Sequence, residues 1–214
     1  EVKKMNKKVI ILIIALIIVA VTGISIYTLS KDDDNTTTAN QQSDNTSVEN
    51  NESDLEAGNV LIVYFSQTGN TETVANIIHD NVGGDIVKLE TTEAYPSDYD
   101  ELVDYAHQEQ QEDARPELST VIENIEQYDT IFLGYPNWWG DMPMAIYTFL
   151  DTYDLSGKTI APFITHGGSG LSGTPENIQE EELNASVTEG LAIDGDEASD
   201  SSEDVVEWLN SLGF

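Results

Sequence analysis

Short apolar runs alternate with longer amphipathic segments along the chain after residue 58. The short runs are rich in β-branched residues, whereas the segments between them carry apolar residues at helical spacing. Uninterrupted apolar strands are typical of a parallel sheet that is covered on both faces. Five alternations of strand and helix predict an α/β fold with right-handed crossovers. We place the strands at residues 60–65, 85–89, 130–133, 159–164 and 187–193, and the helices at residues 71–79, 98–110, 143–153, from 174 onward and 202–212.

The same spacing predicts which residues of each helix face the core. Leu102 and Tyr105 are expected to point inward from the second helix, and Val205 and Val206 from the last one. Thr174 stands directly before a proline and is expected to cap the fourth helix.

The turn after the first predicted strand has the composition of an anion site. Its residues are Ser66, Gln67, Thr68, Gly69, Asn70 and Thr71. Hydroxyl and amide side chains offer donors, the glycine permits a tight turn, and the first amides of the next helix lie at the positive end of its dipole. The turn has no Lys or Arg in or beside it and matches neither the P-loop nor the dinucleotide pattern, which argues against a nucleoside triphosphate. An ordinary capped strand-to-helix turn is the alternative interpretation.

Two later loops repeat this arrangement of a strand followed by a polar turn. The first holds Pro136, Asn137, Trp138, Trp139 and Gly140, and the second holds Thr165, His166, Gly167, Gly168, Ser169 and Gly170. In an open parallel sheet, ligands bind outside the carboxyl ends of the strands, near the change in strand order. We therefore expect the three loops to converge on one crevice.

Together, the three loops resemble those of the flavodoxin-like family. The resemblance rests on Ser-Gln-Thr-Gly-Asn-Thr at residues 66–71, Gly-Tyr-Pro-Asn-Trp-Trp at residues 134–139 and Thr-His-Gly-Gly-Ser-Gly at residues 165–170, and it covers about residues 59–214. It implies a three-layer α/β/α sandwich whose five-stranded parallel sheet has the order 2-1-3-4-5. It also implies that the three loops bind FMN without a covalent bond.

The resemblance assigns a part of FMN to each loop. The first loop would hold the phosphate, and Trp138 or Trp139 would stack on the flavin ring, because two consecutive tryptophans in a loop cannot both face inward. Backbone groups of the same loop would face the N5 edge, and amides of the third loop would face the pyrimidine oxygens. His166 is interpreted either as a ligand-side residue or as a structural histidine. His79 and His107 are interpreted as surface residues of their helices.

The function that the resemblance implies is electron transfer between a donor and an acceptor. Two alternatives stay open: an FMN-dependent NAD(P)H:quinone reductase, and a flavin-free binding module of the same fold. The sequence has no Ser-His-Asp or metal-ligand pattern, so we assign no catalytic residue and no metal. Because it also has no cysteine, thiolate sites and disulfides are excluded.

The chain is strongly acidic, with a formal net charge of −32. Residues 59–214 hold 31 acidic residues against three basic ones, Lys88, Arg115 and Lys158, so this part carries −28. Such a field repels nucleic acid and attracts redox partner proteins with basic docking surfaces. An acid excess that serves only solubility is the alternative.

The amino-terminal segment has the composition of a membrane anchor. An apolar run at residues 9–29 follows Lys3, Lys4, Lys7 and Lys8, and at about 1.5 Å per residue it would span about 30 Å of bilayer. The positive-inside rule predicts a single-pass anchor in the cell membrane, with the amino end inside and the domain at residues 59–214 outside the cytoplasm. A cleaved signal peptide, and hence secretion, is the alternative. Residues 30–58 are polar and acidic, and we predict a disordered linker there.

Overall fold

The computed structural model describes residues 59–214, which form a parallel sheet between two layers of helices. The strands are β1 Val60–Tyr64, β2 Asp85–Lys88, β3 Thr130–Pro136, β4 Thr159–His166, β5 Ser186–Val187 and β6 Leu191–Asp194. Their order is β2-β1-β3-β4-β5, with β6 also paired to β4, and every pair is parallel. The predicted order 2-1-3-4-5 is confirmed.

The predicted fifth strand, residues 187–193, is wrong in its continuity. Val187 pairs with Ile160, and Leu191 pairs with Phe163. Between these two pairings the outer strand has three residues, whereas β4 has only two. The extra residue falls opposite Pro162, which has no N–H to donate to a ladder. The edge therefore divides into the two short strands β5 and β6.

The central strands are buried because helices cover both faces of the sheet. All five residues of β1 are buried, as are residues 131–135 of β3 and residues 160–165 of β4. The helices are α1 Asn70–Val82, α2 Tyr99–Gln111, α3 Met144–Thr152, α4 Thr174–Glu181 and α5 Ser202–Leu212. Buried residues of α2, α3 and α4 pack on one face, and those of α1 and α5 pack on the other. This is the three-layer arrangement that we expected.

Two of the inward-facing positions differ from the prediction. Tyr105 is 40% exposed, and Ala106 takes its place beside Leu102 in the buried stripe of α2. On α5, Val206 is exposed and Trp208 is buried. In both helices the spacing of apolar residues allowed two neighbouring stripes, and packing against the sheet selected one of them.

Thr174 is not the cap of α4. Gly173, in a left-handed conformation, is the N-cap, and Thr174 is the first residue of the helix. The Thr174 hydroxyl is fully buried, donates to the Leu171 carbonyl at 2.8 Å and accepts from the Tyr135 hydroxyl at 2.9 Å. It therefore fastens α4 to β3.

Within residues 59–214, no helix is both long enough and apolar enough to cross a bilayer. The predicted anchor at residues 9–29 and the predicted linker at residues 30–58 lie outside the described residues. Both stay predictions.

Candidate functional site

The loop between β1 and α1 starts the helix without a side-chain cap. Gly69 is the N-cap, and its φ of +97° lies in the left-handed region that favours glycine. The N–H of Thr73 donates to the Gly69 carbonyl at 2.9 Å, so the amides of Asn70, Thr71 and Glu72 have no acceptor within the helix. The helix dipole adds positive potential at the same point. This terminus can therefore hold an anion without a cationic side chain.

Two hydroxyls of this loop also brace it. Ser66 Oγ is buried and accepts from the Gly69 N–H at 3.2 Å. Thr71 Oγ1 lies 2.8 Å from Thr165 Oγ1, and both side chains are buried. The second contact ties the start of α1 to the end of β4. The first and third loops are thereby held in a constant relative position.

A tight turn follows β3 at residues 138–141. Trp138 and Asp141 exchange two backbone hydrogen bonds, of 2.9 and 3.0 Å. The two residues between them, Trp139 and Gly140, both have positive φ, +55° and +79°. Glycine adopts this conformation freely, whereas for a bulky residue such as Trp139 it costs about 1–3 kcal/mol. Other contacts must hold Trp139 in place.

Asp141 anchors this turn to two helices. Its carboxylate accepts from the Met142 N–H at 2.8 Å, from the Tyr147 hydroxyl of α3 at 3.0 and 3.1 Å, and from the Asn177 amide of α4 at 3.0 Å. Burial and the Asp141 charge together raise the pKa of the Tyr147 hydroxyl above its ordinary value, so it stays a donor at physiological pH. Sequence reasoning did not single out Asp141, because its partners lie on distant elements.

Asn137 joins the second loop to the third. Its N–H donates to the Thr165 carbonyl at 2.8 Å, and its amide nitrogen donates to the Gly170 carbonyl at 3.0 Å and to Ser172 Oγ at 2.9 Å. Its amide oxygen accepts from the Gly140 N–H at 3.1 Å. Asn137 therefore uses its side chain to set the separation between the two loops.

Trp138 is half-buried in an aromatic cluster beside the site. Its ring meets those of Phe65 and Tyr95 edge to face, with centroids 5.4 Å apart in each case. The Tyr95 hydroxyl donates to the buried Glu109 carboxylate at 2.7 Å. Burial and this neighbour raise the pKa of Tyr95 above its ordinary value. Trp138 thus packs on two aromatic rings, one of which is hydrogen-bonded to the Glu109 carboxylate.

Trp139 lies on the opposite side of the turn and is 53% exposed. Its indole N–H donates to the Val103 carbonyl of α2 at 3.0 Å. Its ring stacks on His107, with centroids 4.2 Å apart and planes inclined by 20°. His107 is half-exposed, as expected, but it has a specific aromatic partner.

His166 stabilises its own loop. Its Nδ1 accepts from the Gly168 N–H at 2.9 Å, which places the proton of the neutral ring on Nε2. The same residue lines the cleft described next. His166 therefore has a structural contact within its loop, and a role beside a ligand stays a prediction.

The three loops meet at a cleft of about 510 Å³ beyond the carboxyl ends of β1, β3 and β4. The predicted site residues that line it are Gln67, Thr68, Asn70, Thr71, Pro136, Asn137, Trp138, Trp139, Thr165, His166 and Gly167. The remaining predicted residues belong to the same loops but do not line the cleft: Ser66, Gly69, Gly140, Gly168, Ser169 and Gly170. That these residues bind a ligand stays a prediction.

The cleft has two further walls that sequence reasoning missed. One is a stripe of α2 formed by Tyr99, Leu102, Val103 and Ala106. This stripe has ordinary helical spacing, which indicates a core face as readily as a cleft wall.

The other wall is formed by Asp194, the last residue of β6, and by Gly195 and Asp196, which follow it. A Cβ on residue 195 would lie 2.6 Å from the Asn70 amide nitrogen, so a larger residue there would require the Asn70 side chain to shift. The predicted strand at residues 187–193 ends directly before this loop, so the rule that ligands bind at the carboxyl ends of parallel strands could have found it.

Comparison with protein families identifies the chain. The flavodoxin family model matches residues 59–212, the range that contains the sheet, the helices and the cleft. The chain belongs to the flavodoxin family.

Related proteins agree with this assignment. The flavodoxin of Synechocystis is 28% identical over 123 residues, and that of Picosynechococcus is 32% identical over 123 residues. Each match covers 56% of this chain and 56% of the relative, so the chain spans about half the length of the curated relatives it matches.

Solved structures show the same fold. A protein from Bacteroides eggerthii assigned to the flavoproteins has a TM-score of 0.64 at 29% identity, with coverage of 73% of this chain and 98% of that one. A flavoprotein from Lactobacillus acidophilus, solved in complex with FMN, has a TM-score of 0.58 at 25% identity, with coverage of 67% and 98%.

In the described part of the chain, the cleft of this flavodoxin domain has no Lys or Arg in its lining. The three Lys and Arg side chains of residues 59–214 have partners away from the cleft. Lys88 pairs with Glu72 at 2.9 Å, and Arg115 pairs with Asp113 and Asp151 at 2.7 Å each. Lys158 is buried and donates to the Tyr128 carbonyl. Two carboxylates, Asp194 and Asp196, stand at the cleft instead. An anion bound there depends on amides, hydroxyls and the α1 dipole.

Proposed function

We propose that residues 59–214 bind FMN in this cleft and that the protein carries electrons between redox partners. The observation that carries the proposal is the convergence of three loops at the uncapped start of α1. Membership of the flavodoxin family and the FMN complex of the Lactobacillus relative support the choice of ligand. When bound, FMN supplies one- and two-electron redox chemistry.

The donor set of the first loop fits a phosphate ester. The amides of Asn70, Thr71 and Glu72 lack helical acceptors, and Thr68 and Asn70 both line the cleft. Neutral donors and a helix dipole hold phosphate in many nucleotide sites. In this chain they would do so without help from Lys or Arg.

The rest of the cleft fits a flat aromatic ring system. Trp139 and the α2 stripe supply apolar surface, and Asn137 and His166 bring polar backbone and ring groups to the same space. Tight packing of Trp138 on Phe65 and Tyr95 keeps that wall in place. These residues would bind and orient the ring and exclude water from its inner face.

A carrier is favoured over a nicotinamide-dependent reductase by the open rim of the cleft and the charge of the domain. Trp139 at 53% and Tyr99 at 73% exposure leave the cleft rim open to a protein partner. The net charge of −28 on residues 59–214 favours partners with basic docking surfaces.

We also propose that the domain is tethered to the outer face of a membrane. The support is the apolar run at residues 9–29 with four lysines on its amino side. Cell fractionation of the full chain tests this proposal. Recovery in the membrane fraction after a salt wash is expected, whereas a shortened chain in the medium would indicate a cleaved signal peptide.

A binding titration tests the function. The purified chain, stripped of any bound flavin, is expected to take up one FMN per molecule, with a shift of the visible flavin absorption. Steady oxidation of NADH or NADPH over many turnovers, with a quinone as the electron acceptor, would favour the reductase instead. A chain that stays colourless and shows no heat of FMN binding would leave only the flavin-free module.

A further inference from the structure

The indole of Trp139 is held by two contacts from α2. Its N–H donates to the Val103 carbonyl at 3.0 Å, and its ring stacks on His107 at 4.2 Å. Its backbone is in the left-handed region, at φ +55°, and more than half of its surface is exposed. Neither backbone preference nor burial therefore explains its position, which depends on the contacts with α2.

His107 contacts this indole without lining the cleft itself. Trp139 and Val103 line the cleft, but His107 does not. The His107 ring is in turn contacted by the Gln111 amide, 2.9 Å from Nε2 and one helical turn further along α2. The four residues form a chain of contacts from the surface of α2 to the cleft wall.

We propose that His107 is a positioning residue for the flavin, acting through Trp139. The proposal rests on the proposed FMN binding. The stacked imidazole keeps the indole in the orientation in which it forms a wall of the cleft, so that less conformational freedom is lost when a flat ligand binds. Since the contact is a ring stack, an aromatic residue can replace His107 but a small one cannot.

Binding measurements on variants of the full chain test the proposal. His107→Ala is expected to weaken FMN binding roughly three- to tenfold, the factor that loss of one aromatic pair gives. His107→Phe keeps a stacked ring and is expected to stay within about twofold of the parent chain. His79→Ala, which removes a half-exposed histidine of α1 away from the cleft, is the matched control and should leave affinity unchanged.

A thermodynamic cycle shows whether His107 acts through Trp139. In a Trp139→Ala background, His107→Ala should cause no further loss of FMN affinity. A loss of equal size in both backgrounds would overturn the proposal, as would parent-like affinity of the single His107→Ala variant.

The indole N–H signals in an NMR spectrum provide a readout that needs no FMN. The chain has three tryptophans, Trp138, Trp139 and Trp208. His107→Ala should move the signal of Trp139 and leave that of Trp208 in place, and His107→Phe should largely restore it. An unmoved Trp139 signal would overturn the proposal, whereas failure of the parent chain to take up FMN would overturn the proposed function instead.

Discussion

The two adjacent tryptophans, Trp138 and Trp139, have different surroundings in the cleft. Trp138 is half-buried on Phe65 and Tyr95, whereas Trp139 is exposed and bonded to α2. The tight turn between residues 138 and 141 sends the two side chains to different elements. Trp138 thus belongs mainly to the packed aromatic cluster beside the cleft, and Trp139 to the exposed rim of the cleft.

Single alanine substitutions should separate these two contributions. Trp139→Ala should weaken FMN binding by about 1–3 kcal/mol, through lost stacking and apolar contact, with little change in melting temperature. Trp138→Ala should also lower the melting temperature, because it empties space in a packed aromatic cluster. Calorimetric titration and thermal unfolding measure the two effects. Equal losses of stability in both variants would contradict this division.

Glu109 makes stability depend on pH in an unusual direction for a carboxyl group. Burial raises its pKa above the ordinary 4.5, and the hydrogen bond from Tyr95 acts in the opposite sense. The folded protein therefore keeps this proton to higher pH than the unfolded chain does. The group destabilises the fold progressively as pH rises above about 4.5.

Glu109→Gln should remove this dependence while keeping an oxygen that can accept from Tyr95. At pH 7 the variant is expected to melt a few degrees above the parent chain, and the difference should vanish below about pH 4. Melting curves across this range measure it. The exposed Glu123→Gln variant is the control, and a gain of stability that did not change with pH would refute the assignment to Glu109.

Among the described strands, β3 and β4 share the longest run of paired residues. A Cβ at Gly134 of β3 would lie 2.1 Å from Cζ of Phe163 on β4, a ring that is fully buried. Glycine is required here for space, so that the phenyl ring can lie across the neighbouring strand. The contact between Gly134 and Phe163 therefore helps to set the packing of β3 against β4, the strands that precede the second and third loops.

Gly134→Ala should therefore destabilise the fold by about 1–3 kcal/mol through overpacking. Gly167→Ala, at a position with open space and no left-handed φ, is the matched control and should have little effect on stability. Adding Phe163→Leu to Gly134→Ala should recover part of the loss. Urea unfolding measures all three, and a neutral Gly134→Ala variant would show that Phe163 moves freely.

At the scale of the whole molecule, charge dominates. Residues 59–214 carry −28, and their three basic side chains are all engaged in local contacts away from the cleft. A dianionic ligand must approach against this field, and a basic partner is drawn by it. Salt should therefore affect the two associations in opposite directions.

Ionic strength offers a direct test of a phosphate site without cations. Raising NaCl from about 0.05 to about 0.5 M should tighten FMN binding by about two- to fivefold, because screening weakens the repulsion between the ligand and the domain. Riboflavin, which has no phosphate, is the control and should show little change. Weaker FMN binding at high salt would mean that a cationic group holds the phosphate.

The sequence by itself determined the parts of this protein that depend on local pattern. Continuous apolar runs marked β1, β3 and β4, because strands covered on both faces have no polar side. The turns that follow them could be placed at one edge of the sheet, because parallel strands share a direction. The convergence of the three loops on one cleft was therefore predictable from the order of residues alone.

Only the tertiary structure decided which distant elements complete the cleft. The Tyr99 stripe of α2 lines the cleft through packing that helical spacing does not encode. The same holds for Trp139, since its indole contacts His107 and Val103, more than 30 residues earlier in the chain. Side-chain contacts between separated segments form only after the sheet has brought them together, and for that reason a linear pattern does not reveal them.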